Sequence, residues 1–235
     1  MKIYQLIILA CLSIFLISCK QTPEPPKKKP KPERTLKIAC IGDQIMLSEK
    51  LDSADRYPAQ LQWLLGNDYL VKTFALKKAT VLKNGNQPFI EDTLFKQAIS
   101  FQPDIVVINL GINDTKMSNW WKYGEEFIDD YMKIVKTFQT ISSKPKVLIC
   151  RPTKPFNIVN GIDDSTMNVG VLPNIDSVAT WLDVEKIDLY TISSYRRDLF
   201  KQYLYPDKTA CRMIAETIAD AITSDIEPLQ GTTTK

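Results

Sequence analysis

Five short apolar runs recur along the chain: LKIACI (36–41), VKTFAL (71–76), DIVVINL (104–110), KVLIC (146–150) and KIDLY (186–190). Each is dominated by β-branched or large aliphatic residues, and none alternates cleanly with polar ones. Strands of this kind suit a sheet covered on both faces. Between them lie stretches with helical spacing: YPAQLQWLLG from Tyr57, then 89–101, 121–142, 171–183 and 207–223. In the last of these, Met213, Ile214, Ile218 and Ile222 fall on one helical face. Strand–helix alternation of this regularity demands right-handed crossovers. It predicts an α/β fold, a three-layer α/β/α sandwich with a five-stranded parallel sheet.

The first residues follow different rules. Lys2 precedes an apolar run at 3–17, too short to be a comfortable membrane span, which ends in Leu16-Ile17-Ser18-Cys19. The segment resembles a bacterial lipoprotein signal, cut before a cysteine that then carries lipid. The division expected is a signal peptide over 1–18, a lipidated Cys19 and tether over 19–34, a domain over 35–225 and a flexible C-terminal tail over 226–235. The tether holds five prolines and no apolar periodicity, so it reads as an extended spacer. Cys19 implies lipid anchoring in a bacterial cell envelope. Lys20, which is not an aspartate, points to the outer membrane.

Charge follows the same division. The whole chain carries +3 at pH 7, yet residues 20–34 alone hold six basic residues against two acidic ones. The domain is therefore mildly acidic, which argues against nucleic acid as a partner. There is no histidine anywhere in the sequence. An imidazole base and an imidazole metal ligand are both excluded for this chain acting alone. Cys40, Cys150 and Cys211 fall in apolar or helical runs without any Cys-x-x-Cys spacing, so buried free thiols are expected, with no metal and no cofactor.

In a parallel sheet, ligands bind beyond the carboxyl ends of the strands. The residues found there are Gly42-Asp43-Gln44, Lys77-Lys78, Gly111-Ile112-Asn113-Asp114, Arg151-Pro152, and the stretch holding Gln202, Tyr203, Tyr205 and Asp207. KIACIGDQI resembles the first block of SGNH (GDSL-type) hydrolases, and INLGINDTK their Gly-x-Asn-Asp block. Tyr57-Pro58, Asn119-Trp120, Phe127, Asp130-Tyr131 and Pro152 extend the likeness over about 36–222. The nearest branch is that of lipoproteins resembling acylhydrolases and sialate O-acetylesterase-like proteins. The resemblance implies a flavodoxin-like fold and a serine–histidine–aspartate esterase site.

The residues depart from that implication. Gln44 stands in the serine slot, Tyr205 in the histidine slot and Gln202 in that of the orienting aspartate. Lys78 replaces the glycine whose N–H joins the oxyanion hole, and only Asn113 is retained. No catalytic residue is intact. A carboxamide is not a nucleophile, and a phenol titrating near pH 10 is a poor base at neutrality. Ser48, four residues beyond Gln44, still lacks a base. Structural roles are expected for Gly42, Asp43 (holding the first loop), Gly111 and Asp114 (capping the next helix). Trp120 and Trp121 read as packing, with a sugar-binding rim as the alternative. Asn113 serves either a ligand oxygen or a loop backbone. Lys77 and Lys78 read as solvated, with an anionic ligand as the alternative. Three functions follow: first, an anchored pseudoenzyme that binds a glycan, an acylated molecule or a protein partner; second, a carbohydrate O-acetylesterase or acylhydrolase with an altered mechanism; third, a structural accessory lipoprotein.

Overall fold

A computed structural model describes residues 34–224 of the chain. The signal segment, Cys19, the rest of the tether up to residue 33 and the tail over 226–235 lie outside the described residues. The apolar runs become five strands: β1 (Leu36–Gly42), β2 (Tyr69–Ala75), β3 (Ile105–Ile108), β4 (Lys146–Arg151) and β5 (Glu185–Asp188). They form one sheet of order β2-β1-β3-β4-β5, and every pairing is parallel.

Strand side chains alternate between two faces, and both faces are covered. Ala39, Ile41, Val106, Ile108, Val147 and Ile149 point into one core. It is completed by α3 (Thr93–Ser100), α5 (Phe127–Thr140) and α6 (Leu172–Leu182). Ile38, Cys40, Ile105, Val107, Leu148 and Cys150 point into the other. That core is closed by α2 (Tyr57–Leu65) and α7 (Lys208–Ser224). The result is the three-layer sandwich that the alternation predicts. Cys40, Cys150 and Cys211 are buried and free. No helix among the described residues is long and apolar enough to cross a membrane.

One expectation needs correction. The single long helix at 121–142 is two helices, α4 (Met117–Tyr123) and α5, joined by a 3-10 turn at Gly124–Glu126. The turn falls where the chain passes the Trp120 indole. A Cβ on Gly124 would lie 3.0 Å from that ring, tighter than ordinary contact. One contact was not anticipated from the sequence: the Arg34 guanidinium forms a two-pronged ion pair with Asp104, just before β3. The pairing is exposed, and pairs of that kind are worth about 1 kcal/mol or less.

Candidate functional site

The order β2-β1-β3 places a crevice at the carboxyl ends of β1 and β3, because the chain leaves these neighbours in opposite directions. β1 ends at Gly42, where the backbone runs against Met46; a Cβ there would meet Met46 Cε at 2.6 Å. Asp43 then caps the four-residue helix α1 (Gln44–Leu47), its Oδ1 accepting the Ile45 N–H at 2.9 Å. β3 leads to Gly111, whose φ of 119° lies in the left-handed region and whose Cβ would press on Val171 at 3.0 Å. The turn that this glycine permits delivers Asn113 beneath Gln44.

Gln44 and Asn113 pair head to head. Gln44 Nε2 donates to Asn113 Oδ1 at 3.0 Å, and Asn113 Nδ2 donates to Gln44 Oε1 at 3.1 Å. Gln44 Oε1 also accepts the Lys78 backbone N–H at 2.8 Å. Asn113 Nδ2 further reaches Asp43 Oδ2 and the Ala79 carbonyl, at 3.0 and 3.1 Å. Two amide protons thus face three acceptors, so Asn113 is fully engaged inside the protein. Asn113 is 0% exposed and Gln44 6%. For Asn113 the structure thus favours the internal role over the ligand oxygen.

Lys78 sits at φ 64°, a conformation that glycine adopts freely and lysine at a cost of about 1–2 kcal/mol. The backbone shape expected of a glycine is therefore kept although the residue is not one. That shape aims the Lys78 N–H at the Gln44 oxygen. Asp114 does not cap the following helix, whose first flanking residue is Lys116. Its carboxylate accepts the N–H groups of Val81 and Leu82, at 3.1 and 2.9 Å. Asn119 and Asp130 hold the N–H groups of Asn86 and Lys83 on the same loop. Burial pushes both the Asp43 and the Asp114 carboxyls up to about 7, against the pull of the N–H groups they accept.

Tyr205 begins β7 (Tyr205–Pro206), which pairs with β6 (Phe200–Lys201). Gln202 and Tyr203 turn the hairpin with φ of 50° and 63°. Gln202, Tyr205 and Gln44 line one cleft of about 440 Å³ with Lys77, Ser48 and Asp207. A second cleft of about 210 Å³ brings Gln44, Asn113, Lys77, Lys78 and Tyr205 together with Lys116 and Asn160. Those last two residues carried no signal in the sequence. Lys116 stands in the block singled out for Asn113, and Asn160 in an irregular loop. Lys77 is exposed and paired with Glu49 at 2.7 Å, not solvated alone.

Ser48 is 4% exposed, and its Oγ donates to the Ile45 carbonyl at 2.6 Å. Cys211 is a buried thiol pushed up to about 11 by desolvation, so it is no thiolate nucleophile at neutral pH. Trp120 packs on Phe127 with ring centroids 5.6 Å apart, whereas Trp121 is exposed rather than packed. Among the described residues, no group of three or more cysteine, aspartate or glutamate side chains is arranged to hold a metal ion.

The sequence model described as the GDSL-like Lipase/Acylhydrolase family matches residues 40–211. The chain belongs to the GDSL-like lipase/acylhydrolase family. An acetylxylan esterase of Xylanibacter ruminicola is 32% identical over 210 residues, a match covering 81% of this chain and 44% of that protein. The chain thus spans less than half the length of the curated relative it matches. Among solved structures, an acetyl xylan esterase superposes with a TM-score of 0.65 at 17% identity, covering 80% of this chain and 100% of its own. A carbohydrate acetylesterase from Sinorhizobium meliloti gives 0.63 at 18% identity, over 80% and 99%. The aryl esterase of M. smegmatis gives 0.64 at 17%, over 80% and 99%. These likenesses establish the GDSL-esterase fold of the family.

Proposed function

We propose that this protein is a lipid-anchored, non-hydrolysing member of the GDSL-like family that binds an acylated or glycan ligand at the cell envelope. One observation carries the reading. Gln44 Oε1 rests between the Lys78 N–H and Asn113 Nδ2. In the family pattern these are the donors that would stabilise the oxyanion of an ester under attack. Here they are spent on a side chain of the protein itself. The missing serine and histidine point the same way, since loss of nucleophile or base costs about 10³–10⁶ in rate.

The test is an aryl acetate assay on the purified protein, beside a thermal-shift screen with acetylated and deacetylated xylo-oligosaccharides. The expected result is no turnover and a raised melting temperature with one or more sugars. A kcat above about 1 s⁻¹, within the ordinary enzyme range, would overturn the reading.

A second reading is an active carbohydrate O-acetylesterase with an altered mechanism. The comparisons speak for this esterase class, through the 32% identity to an acetylxylan esterase, and they supply no support of their own for loss of activity. Ser48 is the hydroxyl available to it, in the larger cleft with Asp207. Turnover that vanishes in Ser48→Ala would favour this reading. Anchoring through Cys19 belongs to the same proposal. Cys19→Ala is expected to free the protein from the membrane fraction or to stop its processing, whereas unchanged membrane association and mass would count against it.

A further inference from the structure

The smaller cleft is lined by three ammonium-bearing side chains and by no carboxylate. Lys77, Lys78 and Lys116 surround it, with Tyr205 at one wall and the Gln44–Asn113 pair as its floor. Lys77 forms an ion pair with the exposed Glu49. No ion pair is found for Lys78 or Lys116 among the described residues, and the acids that act on Lys116, Asp43 and Asp114, are buried and do not line the cleft. The acid nearest the floor, Asp43, is buried and already accepts from Ile45 and Asn113. Lys116 is half-buried, and its pKa is pulled down by that burial and by the charge of Lys78, against the weaker upward pull of the buried Asp43 and Asp114. Lys116 thus sits partly desolvated beside the like charge of the exposed Lys78, and an anion arriving between them would be attracted by both.

The floor cannot neutralise them. Both carboxamides are uncharged, Asn113 with its amide protons taken inside the protein and Gln44 with one of its two given to Asn113, so the cleft offers an arriving group cationic donors above a neutral surface. The volume of about 210 Å³ is below that of sites for drug-sized molecules, about 300–1,000 Å³. It suits one small charged group. The larger cleft shares Gln44, Lys77 and Tyr205 with it, so the rest of a longer ligand has somewhere to run.

We propose that Lys78 and Lys116, with Lys77 at the rim, form a site for a carboxylate, as carried by a uronic acid residue of a glycan. This deepens the ligand-binding reading above and rests on it for the sugar. A carboxylate can arrive on such a sugar or as a free small acid, and the shared chemistry is charge-assisted hydrogen bonding to ammonium groups.

The experiment is calorimetric titration of the purified protein with glucuronate, with glucose as the neutral ring and with acetate as the bare carboxylate. Glucuronate is expected to bind at least tenfold more tightly than glucose. Lys78→Met and Lys116→Met are each expected to weaken glucuronate binding roughly tenfold or more, in line with the strength of hydrogen bonds to charged groups. Acetate weaker than glucuronate assigns the site to the acidic sugar; acetate equal to it keeps the carboxylate site and assigns it to free acids. Glucose binding as tightly as glucuronate would overturn the inference. So would unchanged glucuronate affinity in both lysine variants, shown by their melting curves to be folded. The two readings fail separately. A protein that hydrolyses aryl acetate yet binds glucuronate through these lysines loses only the non-hydrolysing reading. One that does neither loses only the carboxylate site.

Discussion

A carboxamide at position 44 does more than remove a hydroxyl. Its oxygen accepts from the Lys78 N–H and from Asn113 Nδ2, the two donors that the proposed reading assigns to an ester oxygen in the family pattern, and its nitrogen closes a pair with Asn113. Gln44→Ser alone would empty that position and supply a nucleophile without a base, so no ester turnover above buffer is expected. Adding Gln202→Asp, Tyr205→His and Lys78→Gly completes the set that the family pattern requires, and measurable turnover is expected only there. Aryl acetate hydrolysis by the single and the quadruple variant decides this, and activity in Gln44→Ser alone would reveal an unrecognised base. Lys78→Gly by itself relieves a left-handed conformation that lysine adopts at a cost. The glycine also gains freedom in the unfolded chain, which offsets part of that relief. The net expected change lies between zero and about 1 kcal/mol of added stability, read as the urea midpoint. A clear loss of stability would mean that the lysine side chain itself holds the loop.

At the scale of elements, the five strands and their parallel sheet were legible because buried parallel strands leave continuous apolar runs, and those runs are intact here. The position of the crevice was legible too, since it follows from strand ends. What failed to show was who bonds to whom. Asp114 precedes a helix and reads as its cap, yet its carboxylate reaches back to Val81 and Leu82 across more than thirty residues. No local pattern encodes such a partner. The break between α4 and α5 was hidden for a similar reason, because it depends on one ring. The Trp120 indole lies between Gly124 and Gly170, and a Cβ on Gly170 would come within 2.2 Å of it. Gly170 belongs to the π-helical turn Met167–Val171 that leads into α6. Trp120 therefore ties α4 to α6 through two absent side chains. Gly170→Ala is expected to displace the indole and destabilise the fold by about 1–3 kcal/mol, the usual cost of overpacking. A shifted tryptophan emission together with a lower urea midpoint checks it; an unchanged spectrum at unchanged stability would refute the clamp.

For the whole molecule, the two buried carboxyls at the crevice set a dependence of stability on pH. Asp43 and Asp114 have their pKa raised from 3.8 to about 7, chiefly by burial. Between those values the folded protein binds protons that the unfolded chain has released. Stability then falls as pH rises through that window, by up to about 1.4 kcal/mol per pH unit for each group, and levels off above it. The aspartates with lowered values, among them Asp104, Asp163 and Asp188, act the other way. Their contribution is present above about pH 4, the unfolded value for aspartate, and fades only in more acid solution. The chain has no histidine, so no imidazole titrates in between. The urea midpoint is therefore expected to be higher at pH 5 than at pH 8. Asp114→Asn should flatten part of that slope. It should also weaken the fold at pH 5 by about 1–3 kcal/mol, because both oxygens of the protonated carboxyl can still accept, whereas an amide turns an NH2 group toward one of the two N–H groups. A midpoint that does not change between pH 5 and pH 8 would show that both carboxyls are ionised throughout, held so by their N–H partners against the pull of burial.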